Sequence, residues 1–119
     1  MAQHILLVDD EPDLLEFLHE ELIEWGYNVT CALNGKEALE ILGRTKVDLV
    51  LSDINMPYMD GIQLLDEIVK SFNPRPVVIL MTGFDGYEKS DLREKGATDL
   101  IRKPFELDKV KRDLQELLL

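Results

Sequence analysis

Val47-Asp48-Leu49-Val50-Leu51-Ser52-Asp53 is the stretch that decides how this chain folds. Its apolar centre hardly alternates, and it ends in a carboxylate just before Asn55 and Pro57, residues that favour a turn. A strand covered by helices on both faces needs this kind of short continuous apolar run. The spacing predicts a strand over 48–53, and comparable runs predict strands over 5–8, 28–32, 77–82 and 99–103. Between them, apolar residues recur at helical spacing over roughly 12–25, 35–43, 61–72, 85–95 and 106–119. Regular alternation of strand and helix predicts an α/β fold built from right-handed crossover units.

Punctuation supports these boundaries. Pro12 stands where proline is tolerated, in the first turn of a helix, and Asp10, Glu11 and Asp13 favour that helix's positive end. Gly26, Gly43 and Gly96 fall where helices are expected to stop. Asn73-Pro74-Arg75-Pro76 closes the third helix and leads into the fourth strand. In the first helix, Leu14, Phe17, Leu18, Leu22 and Trp25 form the stripe expected to face the sheet. Leu15 falls off that stripe, as a singly exposed leucine or as a docking contact. Leu117, Leu118 and Leu119 cannot all point inward from one helix, so the helix either continues in a longer protein or meets a partner.

The 119 residues carry neither an internal repeat nor a low-complexity segment, and residues 1–119 read as one domain. Its expected form is a doubly wound, five-stranded parallel sheet with five helices, in the flavodoxin-like order 2-1-3-4-5. Cys31 is the single cysteine, which excludes an internal disulfide and fits a cytoplasmic protein. The longest apolar run, Val77 to Met81, is far too short to span a membrane. No signal segment is expected at Met1-Ala2-Gln3-His4. The net charge of −11 repels nucleic acid and anionic lipid, while it tolerates a divalent cation.

Four strands end in chemistry. Asp9 and Asp10 follow the first, Asp53 closes the third, Thr82 closes the fourth and Lys103 closes the fifth. The second ends in Ala32-Leu33-Asn34, without a charge. Each residue has an ordinary structural use: Asp10 as a helix cap, Asp53 in a turn, Thr82 as a β-branched strand residue, Lys103 reaching into water. Together they fall on the four contiguous strands of the 2-1-3-4-5 order, at the edge where open parallel sheets bind ligands. Three carboxylates held close together raise one another's pKa, a penalty that a hard divalent cation with oxygen ligands, such as Mg2+, removes. An ammonium and a hydroxyl suit phosphoryl oxygens, and a carboxylate can act as the nucleophile in phosphoryl transfer. Asp53, ending the central strand of the contiguous four, is the candidate acceptor.

Val8-Asp9-Asp10-Glu11, Ser52-Asp53-Ile54-Asn55-Met56-Pro57 with Asp60-Gly61, Met81-Thr82-Gly83 and Lys103-Pro104-Phe105 together resemble the receiver domain of two-component response regulators. The likeness covers essentially the whole chain. It implies that Asp53 is the phosphoacceptor and that Asp10 and Asp53 ligate Mg2+ directly. It further implies that Asp9 acts on the ion largely through water and Asn55 through its backbone carbonyl. Thr82 and Lys103 would hold the phosphoryl oxygens, and the Lys103-Pro104 bond would be cis. The implied donor is a phosphohistidine on a histidine kinase or phosphotransfer domain, and the implied recipient of the signal is a downstream protein target or effector domain.

Two departures accompany the resemblance. Leu100 stands three residues before the lysine, where the family commonly has Tyr or Phe, so switching is expected from a shift of the fourth helix and fifth strand. The interval from Thr82 to Lys103 is one residue short of the usual pattern. With Gly83, Gly86 and many polar residues nearby, Phe84 to Ser90 is expected to be mobile or irregular. Three other functions fit less well. A haloacid-dehalogenase-type phosphatase would carry its nucleophile in an Asp-x-Asp pattern after the first strand, where this chain has Asp9-Asp10-Glu11. An FMN carrier needs a phosphate loop rich in Ser, Thr and Gly there, and the acidic triplet repels phosphate. A phosphorylation-independent protein-binding module would not need the complete set of site groups.

Overall fold

A computed structural model describes residues 2–84 and 86–118. The elements, in order, are β1 (His4–Val8), α1 (Pro12–Glu24), β2 (Asn28–Ala32), α2 (Gly35–Arg44), β3 (Leu49–Asp53), α3 (Gly61–Ser71), β4 (Val77–Thr82), α4 (Lys89–Glu94), β5 (Asp99–Arg102) and α5 (Leu107–Leu117). All four strand pairings are parallel, and the sheet order is β2-β1-β3-β4-β5, as expected.

Side chains leave a strand on alternate faces, so one strand feeds two cores. Leu6, Val8, Val50, Val78, Leu80 and Leu100 bury one face against α2, α3 and Leu92 of α4. Ile5, Leu7, Leu49, Leu51, Ile79, Met81 and Ile101 bury the other against Leu15, Leu18 and Leu22 of α1 and Val110 and Leu114 of α5. Burying each such side chain contributes about 1.5–3 kcal/mol, which is why β3, buried at every position, anchors the fold. β2 departs from the expectation of strands covered on both sides. As an edge strand it is only partly covered until Ala32.

The stripe predicted for α1 needs rotating. Leu15 is buried with Leu18 and Leu22, whereas Phe17 is 45% exposed. Leu18 and Leu22 belong to both possible stripes. Phe17 lies about 200° around the helix from Leu15, so only one of the two can face the sheet. Leu14 and Trp25 pack at the margins of the same core. Leu15 is therefore neither exposed nor a docking contact.

Helix ends follow the local chemistry. Asn34 accepts a hydrogen bond from Glu37 N at 2.9 Å and caps α2. Asp60 and Gln63 form a reciprocal capping box on α3. Gly26 and Gly96 adopt the positive φ angles that terminate α1 and α4, but Gly43 lies inside the last turn of α2, which runs on to Arg44. The fourth helix is much shorter than the predicted 85–95. Among the described residues, Phe84 and Gly86 to Glu88 are non-helical, as the glycine and polar content suggested, while Ser90 is already in α4. Asp85 lies outside the described residues, as do Met1 and Leu119 of the terminal leucine triplet. Leu117 and Leu118 pack against the α1–α5 core, and Gln3 Nε2 donates to Leu118 O at 3.0 Å. The Lys103-Pro104 bond is cis, as the resemblance implied, and so is Asn73-Pro74.

Candidate functional site

Because all five strands run parallel, their carboxyl ends share one rim. Asp9 comes one residue past β1, donates its N–H to Ala32 O at 3.2 Å and is fully buried. Its Oδ1 accepts from Glu11 N at 3.0 Å, which fixes the carboxylate at the entrance to α1. Asp10 is exposed and does not cap α1; that position is Glu11, which makes no side-chain capping bond. Asp53, the last residue of β3, is 4% exposed, and Thr82, the last of β4, is fully buried. Lys103 follows β5 and is tied to β4 by its N–H on Thr82 O at 2.8 Å.

These groups converge. One carboxylate oxygen from each of Asp9, Asp10 and Asp53 lies within 4.8 Å of the others. Lys103 Nζ stands 3.3 Å from Asp9 Oδ2 and 3.3 Å from Asp53 Oδ1. Burial is the main cause that raises the pKa of Asp53, with the charges of Asp9 and Asp10 adding to it and Lys103 opposing it. Crowding among the carboxylates thus contributes as expected, but it is second to desolvation. For Lys103, burial lowers the pKa, and the Asp9 and Asp53 carboxylates more than offset it, so the net shift is upward.

Formal charge shows what the site would accept. Three carboxylates, two of them buried, against one ammonium leave two negative charges, and one divalent cation brings the sum to zero. The donor set is all oxygen, as Mg2+ prefers. Carboxylate oxygens gathered within 4.8 Å of one another are near enough to be reached by one ion together with its bound water. The residues fit the ion.

The loop between β3 and α3 is built to approach closely. Ile54 N donates to Met81 O at 2.9 Å and Gly61 N to Ile54 O at 2.8 Å, which folds the loop back over the end of β3. A Cβ on Gly61 would collide with Asp53 O and come within 2.8 Å of Ile54 Cα. Asp60-Gly61 is in the sequence motif, but the reason for the glycine is a backbone contact that spacing does not reveal. Asn55, two residues past Asp53, is exposed on this loop. Tyr58 turns the loop with φ +68° and is 95% exposed.

Thr82 is prepared as a donor. Phe84 N donates to Thr82 Oγ1 at 3.0 Å, which leaves the hydroxyl proton free for another acceptor. Leu100 pairs with Leu80 and lies on the same sheet face as Thr82, two positions along β4, where it is buried. Sequence reasoning passed over Arg102, which donates through one guanidinium nitrogen to Phe84 O at 3.2 Å and through the other to Tyr87 O at 2.6 Å. Its only sequence signal was a charged residue closing a short strand whose centre, Leu100-Ile101, is apolar.

A family model described as the response regulator receiver domain matches residues 5–115. The chain belongs to that family. This receiver domain is 39% identical over 115 residues to the transcriptional regulatory protein GlrR of Escherichia coli strain K12, covering 97% of this chain and 26% of that protein. It is 42% identical over 115 residues to the transcriptional regulatory protein ZraR of Klebsiella oxytoca, again covering 26% of the relative. The chain therefore spans about a quarter of the length of these curated relatives. Among solved structures, response regulator TrrA from Thermotoga maritima in complex with Mg(2+)-BeF shares 39% identity at a TM-score of 0.88, over 98% of this chain and 99% of that one. The Francisella response regulator 1452 receiver domain superposes with a TM-score of 0.90 at 32% identity, over 98% of this chain and 96% of that one. No helix among the described residues is long and apolar enough to cross a membrane.

Proposed function

We propose that residues 1–119 act as one cytoplasmic receiver unit in which Asp53 accepts a phosphoryl group. The donor is a phosphohistidine on a histidine kinase or histidine phosphotransfer domain. An Asp53 carboxylate oxygen attacks phosphorus, the N–P bond breaks, and the imidazole leaves with the electron pair. Lys103, already 3.3 Å from Asp53 Oδ1, is placed to pair with a phosphoryl oxygen. The free Thr82 hydroxyl proton is available to another. Asp10 and Asp53 would ligate Mg2+ directly, Asp9 largely through water and Asn55 through its backbone carbonyl, and the related TrrA structure carries Mg(2+)-BeF. When bound, the ion supplies charge neutralisation among the carboxylates and polarises phosphoryl oxygens.

The observation that carries this reading is the convergence of three carboxylates within 4.8 Å, with an ammonium bridging two of them. Catalysis is confined to the domain's own phosphorylation and dephosphorylation. Its output is altered binding to a downstream protein target or effector domain, and the acidic domain does not itself bind nucleic acid. Incubation with acetyl phosphate and Mg2+, followed by peptide mass mapping, tests the assignment. An adduct on Asp53 that requires Mg2+ is expected. An adduct on another residue, or one formed equally with a chelator present, overturns it. Unmodified protein together with undiminished target binding would instead favour the phosphorylation-independent module.

A further inference from the structure

We infer that Arg102 is a positioning residue for Thr82, acting through the segment between β4 and α4. This inference rests on the phosphoacceptor reading and adds to it a residue outside the carboxylate–lysine–threonine set. Arg102 is the last residue of β5 and pairs in register with Thr82. It is exposed, yet its guanidinium does not simply enter the solvent. The two terminal nitrogens reach Phe84 O at 3.2 Å and Tyr87 O at 2.6 Å, holding two backbone carbonyls between β4 and α4. Phe84, whose carbonyl is held by that fork, turns its own N–H onto Thr82 Oγ1 at 3.0 Å. A path therefore runs from the guanidinium through the Phe84 backbone, carbonyl to Cα to N–H, to the hydroxyl. It keeps one acceptor site of Thr82 Oγ1 occupied and so turns the hydroxyl proton away from Phe84.

The need for such a brace is local. Gly83 and Gly86 loosen the backbone, α4 begins only at Lys89, and Phe84 is 63% exposed, so its side chain cannot anchor it. Tyr87 packs against the core on the α2–α3 side, and Lys89 pairs with Asp99 at 2.7 Å. Tyr87 is thus held from several sides, while among the described residues the hydrogen bonds of Phe84 are those with Arg102 and Thr82. An aliphatic Leu100 on the same face offers no hydrogen bond to either. Arg suits the task better than Lys, because a planar fork reaches two acceptors at once whereas an ammonium is a single point charge.

The test is a double-mutant cycle on the rate of phosphorylation by acetyl phosphate at saturating Mg2+, joined to amide exchange at Phe84 without donor. Arg102→Ala is expected to slow phosphorylation about fivefold, the scale of one hydrogen bond, and to speed Phe84 exchange about tenfold. Arg102→Lys is expected to restore part of both. In a Thr82→Ala background, Arg102→Ala is expected to add less than about a twofold loss, because the path ends at that hydroxyl. An equal loss in both backgrounds, or none in either, overturns the inference. If the parent protein takes no adduct on Asp53, the phosphoacceptor reading fails by itself. Phe84 exchange then decides for Arg102: acceleration in Arg102→Ala with recovery in Arg102→Lys sustains the brace, and unchanged exchange removes it.

Discussion

The two rims of one sheet are polar for opposite reasons. At the amino ends of the strands, His4 N donates to Asp48 Oδ2 at 2.8 Å while Asp48 N donates to His4 O at 2.8 Å. The His4 ring shares a hydrogen bond with Thr30 Oγ1 at 2.7 Å, and Asn28 N donates to Gln3 O at 2.9 Å. Donors and acceptors there satisfy one another, next to water. At the carboxyl ends, Asp9 and Asp53 are almost wholly buried and share one ammonium, with Asp10 close by. A rim that completes its own hydrogen bonds is structure. A rim that buries more charge of one sign than it neutralises is poised for a ligand.

Substitutions should separate the rims sharply. Asp53→Asn is expected to abolish phosphorylation by acetyl phosphate, by a factor of about a thousand or more, since the nucleophile is gone. Intact-protein mass spectrometry over time checks it, and residual adduct at the parental rate would contradict the assignment. Asp10→Ala is expected to weaken Mg2+ by about tenfold or more through loss of a ligating oxygen, as read by calorimetric titration. An unchanged titration would remove Asp10 from the ion's shell.

Lys103→Ala should leave Asp9 and Asp53 facing each other without a counter-charge. Without Mg2+ a loss of about 2 kcal/mol is expected in urea unfolding, discounted because Lys103 keeps some solvent contact. Added Mg2+ should recover much of it, and a deficit insensitive to Mg2+ would show that the lysine serves packing alone. Some phosphorylation should survive in this variant, with a blunted conformational response. At the opposite rim, Asp48→Ala is expected to cost about 1 kcal/mol by freeing His4 N, while Mg2+ affinity and phosphorylation stay at parental values. A changed Mg2+ affinity there would undo the contrast between the rims.

The smallest effect concerns pH. The pKa of Asp53 is raised in the folded, metal-free protein, mainly by burial. Its folded state therefore holds a proton more tightly than the unfolded chain. That contribution to stability is complete below the unfolded carboxylate pKa and fades as pH rises through the folded one. Asp53→Asn should accordingly be more stable than the metal-free parent near neutrality, on the order of 1 kcal/mol, with the gap shrinking on acidification. Melting curves of both proteins across the acidic range measure it, and a gap that widened on acidification would mean that the sign is wrong.

Sequence made the architecture legible because buried parallel strands have little freedom: Leu49-Val50-Leu51 can scarcely be anything else. The site was legible for the same reason, since knowing that strands 1, 3, 4 and 5 are contiguous places Asp9, Asp53, Thr82 and Lys103 on one rim. Two things were not legible. The face that α1 buries was ambiguous, because Leu18 and Leu22 fit a stripe with Phe17 as well as one with Leu15, and only packing against the sheet decides. The hydrogen bonds of Arg102 were also hidden, because its acceptors are backbone carbonyls, and carbonyls have no letter in a sequence.

Gly61 gives the chain a constraint that outlasts any particular partner. Its missing Cβ lets the start of α3 rest against the peptide after Asp53, nearer than any other residue type permits. The backbone that carries Asp53 is thus seated by a main-chain contact, whatever side chains surround its carboxylate. Neighbouring surfaces can change while the backbone of the aspartate keeps its place.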